Sequence, residues 1–272
     1  GVAIVACLPK TAWPPTSTAV ANQSTADLRW YLFGSNQFGG GVSNAHNGVM
    51  AYEHAYQGVE ARKAYFFMGD AMVCMGSGIK AARTQEVRTS VNQCLANGEV
   101  TYGLSGHTYR LTNNLSDKNI DWAYHDNVGY IFPQNESVTL RKAKQTGAWR
   151  ELEVTASDKP VTKEIFSLWV SHGTTPQHED YCYIIMPDKP LSYFTDKKFE
   201  NEIKIIVNSE QIQAISNENK RQYAAVFYEP GEIRFAEDLV VAVNKKVIIY
   251  IEKKDKQYEI AVADPLYKEQ SL

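Results

Sequence analysis

Three side chains that can exchange protons or bind oxygen atoms lie close together in the sequence, in and just after a segment rich in glycine and asparagine. The segment, residues 34–48, reads GSNQFGGGVSNAHNG. His46 and the following Tyr52 are of the types that serve as general acids and bases, and the amide of Asn44 can donate a hydrogen bond to an oxygen atom. Such residue types are common in loops of this composition, and nothing in the spacing fixes their geometry. They define a hypothesis for a small proton-transfer site.

The sequence lacks the short motifs of several other kinds of site. No H-x-H, H-E-x-x-H or D-x-D-x-D-G pattern occurs, and neither a G-x-S-x-G nucleophile elbow nor a phosphate-binding loop is present. The four cysteines, Cys7, Cys74, Cys94 and Cys182, are far apart and form no C-x-x-C pair. In a chain of this size we expect buried free thiols rather than a disulfide framework. Neither a metal nor a cofactor is expected.

The stretch from residue 63 to residue 93 is predicted to form the core that positions any such site. The apolar runs AYFFM and AMVCM lie on either side of Gly69-Asp70, a turn dipeptide that tolerates positive φ. This pattern predicts a β-hairpin. Because both runs are nearly continuous in apolar residues, both faces of the two strands should be buried, as at the centre of stacked sheets. Residues 76–78 are predicted to end the second strand, and residues 86–93 to form a third, half-buried strand.

The remainder of the chain also predicts β-structure. After Gln93, short apolar or alternating runs recur between turn signals, at the spacing expected of a sandwich or barrel. No segment carries a sustained helical period. From Ile203 onward, short strands alternate with charged turns such as Asn244-Lys245-Lys246. We therefore predict an all-β chain whose organisation changes near Ile203.

Several sequence motifs, spread over most of the chain, carry a family resemblance. They are MVCMGSGI and TSVNQ in the central stretch, Trp30 followed by GSNQFGG, and then HDNVGYIFP, LWVSHGTTPQHEDYCYIIMP and ADPLYKE. In kind and order these motifs resemble polysaccharide lyase family 8, which contains chondroitin, hyaluronate and xanthan lyases. The first two dozen residues match the family poorly.

The resemblance implies a large antiparallel super-sandwich domain followed by a small β-sandwich-like domain. We place the super-sandwich at residues 1–203 and the small C-terminal domain, which need not be complete, at residues 204–272. In the family, β-elimination uses an Asn that neutralises the uronate carboxylate, a His and a Tyr that transfer protons, and assisting Arg residues. These lie in an N-terminal α-helical toroid, and a Glu at the start of the sheet domain supports the arginines. We expect this chain to lie after that Glu motif and to carry no toroid, so no catalytic residue is assigned to it.

The resemblance also implies a substrate-binding position. Trp30 matches a tryptophan that faces the cleft between toroid and sheet domain, where an indole stacks on a sugar ring; the alternative is a core residue under the loop. Arg29 can meet a sulfate or carboxylate, or be a solvated surface residue. Asn36 and Asn44 can bind sugar hydroxyls, or can be turn residues that bond their own backbone.

Charge and composition limit the partners. The chain has 28 basic and 31 acidic residues and a net charge of −3, so no general attraction to nucleic acid is expected and any anion-binding surface must be a local patch. No apolar run reaches the ~18 residues that a membrane helix needs, and residues 2–8 lack the basic flank of a signal peptide. We expect a fragment of a longer protein, for which the family implies a secreted or periplasmic location and an acidic polysaccharide substrate.

Three functional hypotheses remain open. The leading one is the β-sheet portion of a lyase that acts on uronic-acid-containing polysaccharides of the chondroitin sulfate or hyaluronan type. This portion would form one wall of the substrate cleft and support a catalytic α-toroid, and would not be catalytic alone. The second is a stand-alone carbohydrate-binding module, whose affinity Trp30→Ala would abolish. The third is a small self-contained lyase using Asn44, His46 and Tyr52, which His46→Ala would inactivate without unfolding.

Overall fold

The fold is built almost entirely of antiparallel strands. The computed structural model describes residues 4–6, 36–56, 58–82, 85–134, 136–151 and 155–268; of residues 4–6, 56 and 151 only the backbone is described. In this part of the chain, 21 strands form four sheets. The strands are β1 (Ile4–Ala6), β2 (Gly39–Ser43), β3 (Gly48–Tyr56), β4 (Val59–Met68), β5 (Ala71–Ala81), β6 (Glu86–Leu95), β7 (Val100–Leu104), β8 (His107–Arg110), β9 (Leu115–Lys118), β10 (Trp122–His125), β11 (Val128–Ile131), β12 (Val138–Gly147), β13 (Val161–Thr174), β14 (Glu179–Pro187), β15 (Lys204–Asn208), β16 (Ile212–Asn217), β17 (Gln222–Phe227), β18 (Gly231–Ala236), β19 (Leu239–Val243), β20 (Val247–Lys254) and β21 (Gln257–Ala263). A short helix, α1 (Leu191–Thr195), precedes β15, and a 3-10 turn spans Trp149–Glu151.

Three sheets are stacked, and the largest lies in the middle. The central sheet has nine strands in the order β2-β3-β4-β5-β14-β11-β10-β7-β8. One of its faces packs on the outer sheet, β1-β6-β13-β12-β9, and the other on the C-terminal sheet, β15-β16-β17-β20-β21. The two-stranded sheet β18-β19 covers part of the far side of the C-terminal sheet.

The central hairpin has apolar side chains on both faces because both faces meet another sheet. On β4, Tyr65 points into the core shared with the outer sheet, whereas its neighbour Phe66 points into the core shared with the C-terminal sheet. On β5, Cys74 points into the core shared with the outer sheet and Val73 into the core shared with the C-terminal sheet. Burying each large apolar side chain contributes roughly 1.5–3 kcal/mol. The predicted hairpin and its two-sided burial are confirmed: Met68 pairs with Ala71.

The prediction that residues 76–78 end the second strand is wrong, because β5 runs on to Ala81. Gly76 lies opposite Tyr181 of β14, and the tyrosine ring occupies the space that a side chain at position 76 would need. Gly78 has φ +60° and stands where the pairing register with β4 shifts. Both glycines therefore serve a continuous strand, one through close packing and one through a bulge.

The C-terminal sheet is joined to the central sheet by an ion-pair group as well as by the apolar core. Nε of Arg62 lies 3.4 Å from Glu53, and its Nη2 lies 3.5 Å from Glu229. The same guanidinium donates to the backbone carbonyl of Glu210 and lies over the ring of Tyr228, 5.2 Å from the centroid. The two parts of the chain thus share one interface, and the domain boundary at residue 203 stays a prediction.

Candidate functional site

The glycine-rich segment forms a hairpin, β2 and β3, at the free edge of the central sheet. A side chain at Gly41 or Gly48 would lie 2.7 Å from a backbone carbonyl oxygen of the opposite strand, so glycine allows the two strands to approach. A groove of ≈ 660 Å³ opens on this hairpin. His46, Met50, Tyr52 and Phe67 line it, together with the glycine backbone. We call the surface formed by these four side chains the hairpin face.

Asn44 is held by the hairpin turn and by the C-terminal sheet. Its Oδ1 accepts hydrogen bonds from the backbone N–H groups of His46 (3.2 Å) and Asn47 (2.8 Å). Its Nδ2 donates to Oε2 of Glu252 on β20, at 2.8 Å. The amide thus ties the hairpin to the C-terminal sheet, as expected of a turn residue. Saccharide binding by Asn44 stays a prediction.

His46 and Tyr52 come together at one groove, but Tyr52 is poorly suited to act as a base. His46 is exposed at the turn, whereas Tyr52 is half-buried in β3. Burial raises the pKa of Tyr52, and a hydrogen bond with Tyr65 offsets part of that rise. The phenol therefore stays protonated at neutral pH and can donate a proton or a hydrogen bond.

Asn36 lies at a different groove from His46 and Tyr52. This second groove, of ≈ 410 Å³, lies where strands β3–β5 meet the β15–β16 turn. Asn36 is exposed there, beside mostly charged side chains: Glu53, His54, Glu60, Arg62, Lys80 and Glu210. Trp30 and Arg29, the other two predicted saccharide contacts, lie outside the described residues.

Two large apolar side chains are exposed on the hairpin face. Met50 is 47% exposed and Phe67 is 42% exposed. They lie on adjacent strands, because Gly48 pairs with Phe67 and Met50 pairs with Tyr65. Phe67 also lines an adjoining groove of ≈ 460 Å³. Contiguous exposed apolar groups are a feature of interaction surfaces, so this edge of the sheet is a candidate for one.

A fully buried lysine lies beside the hairpin face, on the same side of the sheet. Lys63 on β4 pairs with Tyr52 on β3, and its Nζ lies 5.8 Å from the centroid of that ring. Burial lowers the pKa of Lys63 to about 7, and the nearby Cys74 opposes this shift. Sequence reasoning missed this group; the available signal was a lysine that opens the run KAYFFM.

Comparisons with known proteins decide the family. The sequence profile of the polysaccharide lyase family 8 super-sandwich domain matches residues 11–198. The chain belongs to polysaccharide lyase family 8. The profile of the family's C-terminal β-sandwich domain matches residues 204–272. The resemblance inferred from the motifs is confirmed, and so is the all-β fold class with a large sandwich followed by a smaller one.

Similar family 8 proteins are much longer than this chain. Chondroitinase-AC of Pedobacter heparinus is 32% identical over 247 residues, which is 89% of this chain and 34% of that protein. A hyaluronate lyase of Thermasporomyces composti is 26% identical over 80% of this chain and 28% of its own length. A solved chondroitinase AC lyase structure superposes with a TM-score of 0.80 and 30% identity, over 87% of this chain and 35% of that one. The chain thus spans about a third of the length of these relatives.

Metal-ligand clusters and membrane helices are both lacking in the described ranges. No group of three or more His, Cys, Asp or Glu side chains there is arranged to hold a metal ion. No helix among the same residues is long and apolar enough to cross a membrane. Cys74, Cys94 and Cys182 are free thiols, while Cys7 lies outside the described residues.

Proposed function

We propose that this chain is the β-sheet portion of a polysaccharide lyase that cleaves uronic-acid-containing polysaccharides, of the chondroitin sulfate or hyaluronan type, by β-elimination. It supplies one wall of the substrate cleft and supports a catalytic α-toroid that lies outside this chain. The observation that carries the proposal is the hairpin face, a concave edge of the central sheet with Met50 and Phe67 exposed, in a member of family 8.

The hairpin face by itself is short of the groups that β-elimination needs. The reaction needs a base for the C5 proton, a group that neutralises the uronate carboxylate, and an acid for the leaving oxygen. Among the described residues that line the groove there is no lysine or arginine. Asn44 is engaged by its turn and by Glu252. These features favour a wall over a self-contained lyase built from Asn44, His46 and Tyr52.

The proposal includes partners and a location. The substrate is an acidic polysaccharide, and the direct partner is the N-terminal α-toroid of the same protein, since about two thirds of the length of each relative lies outside the match. The location is secreted or periplasmic, because a long polyanion does not cross a membrane unaided.

Titration of the chain with an acidic tetrasaccharide from hyaluronan or chondroitin sulfate tests whether the hairpin face forms one wall of the substrate cleft. We expect weak binding that shifts the methyl resonance of Met50, because one wall supplies only part of the contacts of a closed cleft. Phe67→Ala should weaken the binding about fivefold, which corresponds to roughly 1 kcal/mol. Leu95→Ala is the matched control, because Leu95 is 53% exposed on the outer sheet. Binding that leaves Met50 unshifted, or that Phe67→Ala and Leu95→Ala affect equally, would contradict the proposal.

The carbohydrate-binding module remains the second candidate. It shares the fold and the exposed aromatic and apolar groups of the hairpin face. It requires an affinity for oligosaccharides that does not depend on a helical partner, and a complete loss of that affinity in Trp30→Ala. The same titration therefore separates the two, since a wall alone binds weakly.

A further inference from the structure

Two asparagines of the chain are followed directly by glycine, at Asn47-Gly48 and at Asn97-Gly98. In such a pair the backbone nitrogen of the glycine can attack the side-chain amide of the asparagine, because glycine has no side chain in the way and a wide choice of backbone conformations. The attack needs a glycine N–H that is not bonded elsewhere, an accessible amide carbon and a backbone that can adjust. The structure places the two pairs in opposite environments.

The second pair lies in the exposed loop that carries the chain from β6 of the outer sheet to β7 of the central sheet. Gly98 has φ +73°, and apart from its chain neighbours no atom lies within 4 Å of the place where a Cβ would stand. Its N–H makes no hydrogen bond within the part of the chain that the structure describes. Nδ2 of Asn97 donates to Oδ1 of Asp126 at 2.8 Å, at the surface. The attacking nitrogen and the attacked carbon are therefore both accessible.

Hydrogen bonds hold the ends of this pair without engaging the atoms that react. The backbone N–H of Asn97 donates to Nε2 of His125 at 2.9 Å. The carbonyl oxygen of Gly98 accepts from Nζ of Lys142 at 2.8 Å. These bonds leave the Gly98 nitrogen and the side-chain carbon of Asn97 free to meet.

The first pair is enclosed by the fold. Asn47 is 8% exposed. Its Oδ1 accepts from the backbone N–H of Gly69 at 2.8 Å, and its side chain also hydrogen-bonds Tyr250. Gly48 belongs to β3, and a Cβ there would lie 2.7 Å from the carbonyl oxygen of Val42. An attack at Asn47 would break these contacts first, so it requires local opening of the sheet edge.

We propose that Asn97 is a site of spontaneous deamidation and that the fold protects Asn47 from the same reaction. The backbone nitrogen of Gly98 gives its proton to hydroxide and bonds to Cγ of Asn97. The bond from Cγ to Nδ2 then breaks, and Nδ2 takes a proton from water and leaves as ammonia. Water opens the resulting imide ring at either of its two carbonyl carbons, which gives aspartate or isoaspartate. The reaction needs only water, so it is independent of the proposed function.

The product alters a contact between the outer and central sheets. A carboxylate at position 97 would face the carboxylate of Asp126, so repulsion between like charges replaces a hydrogen bond. Isoaspartate also adds a carbon to the main chain and displaces the N–H that His125 accepts. His125 is buried and stacks on Phe166 of the outer sheet, with ring centroids 4.3 Å apart. The modification should therefore loosen the loop between β6 and β7.

Incubation of the full chain at pH 8 and 37 °C, followed over days by digestion and mass spectrometry, tests the proposal. Aspartate and isoaspartate at position 97 should accumulate at least about tenfold faster than at position 47, because Asn47 must wait for local opening. Gly98→Ala should slow the reaction at Asn97 about tenfold or more, because its methyl group obstructs the attack. The rate at Asn47 should be the same in this variant, which makes that site an internal control. Asn97→Gln, which would have to form a larger ring, should remove the product at position 97.

A parallel incubation in urea shows whether the fold causes the difference. In the unfolded chain the two pairs should react at similar rates, because the contacts that protect Asn47 are lost. Similar rates in the folded chain would overturn the proposal. A folded chain without product at Asn97, while both pairs react in urea, would overturn it as well, because the loop would then be held too rigidly to react.

Discussion

Lys63→Met should remove most of the rise in stability, roughly 2–4 kcal/mol, that the wild-type protein shows between about pH 7 and pH 10. Lys63 is fully buried in the central sheet, where the folded state lowers its pKa to about 7. In the unfolded chain a lysine pKa is about 10.4. Between these values the unfolded chain binds more protons than the folded chain, so the free energy of unfolding increases with pH. Methionine is of similar length and has no charge to bury.

The measurement is urea unfolding of both proteins at several pH values from 6 to 9.5, below the range where the buried tyrosines titrate. Lys80→Met is the control, because Lys80 is exposed on the neighbouring strand and pairs with Glu60 at 2.8 Å. That variant should leave the stability nearly unchanged, with no change in its dependence on pH. A Lys63→Met protein whose stability rises with pH as steeply as that of the wild type would contradict the prediction, because another group would then cause the rise.

Gly76→Ala should destabilise the fold by about 3 kcal/mol or more. The added Cβ would lie 2.6 Å from Cζ of Tyr181 and still closer to Cε1. Tyr181 is fully buried between the central and outer sheets, so its ring has no free space into which to move. Overpacking of a close-packed interior typically costs 1–3 kcal/mol, and rigid neighbours place this site at or above the top of that range.

Gly39→Ala is the matched control for Gly76→Ala, since both glycines lie in the central sheet. At Gly39 the new Cβ would meet Cβ of Tyr52 at 3.8 Å, an ordinary contact. Thermal unfolding should therefore show a large drop in midpoint for Gly76→Ala and a small change for Gly39→Ala. Equal midpoints would mean that the tyrosine ring is not packed on Gly76 in solution.

The features predicted correctly from the sequence are those that depend on local pattern. The β4–β5 hairpin follows from two apolar runs around Gly69-Asp70. Its position between two other sheets follows from apolar residues at both odd and even positions of each strand, which face opposite sides of the sheet. The family follows from motifs such as MVCMGSGI, because glycines and buried residues at fixed spacing reflect one particular packing. The end of β5 cannot be predicted from local pattern, because Gly76 resembles a strand terminator until Tyr181, more than a hundred positions away, is placed over it.

The site could be predicted only in part because its contacts are long-range. Asn44 hydrogen-bonds Glu252, 208 positions along the chain, and no local pattern reveals that bond. Asn36 and His46 are ten positions apart in sequence, yet they line different grooves, because β2 carries the chain along the edge of the sheet between them. The burial of Lys63 depends on three stacked sheets. The predicted roles of Trp30 and Arg29 fall outside the described residues.

Absorbance of the unsaturated uronate product tests the central claim most directly. The purified chain is incubated in parallel with chondroitin sulfate, hyaluronan and xanthan, and a full-length family 8 lyase serves as the positive control. If the chain is one wall of a cleft whose catalytic groups lie in the toroid, no absorbance develops with any of the three polymers. Absorbance that develops with one polymer, and that disappears in a folded His46→Ala variant, would show instead that the chain carries its own acid–base pair.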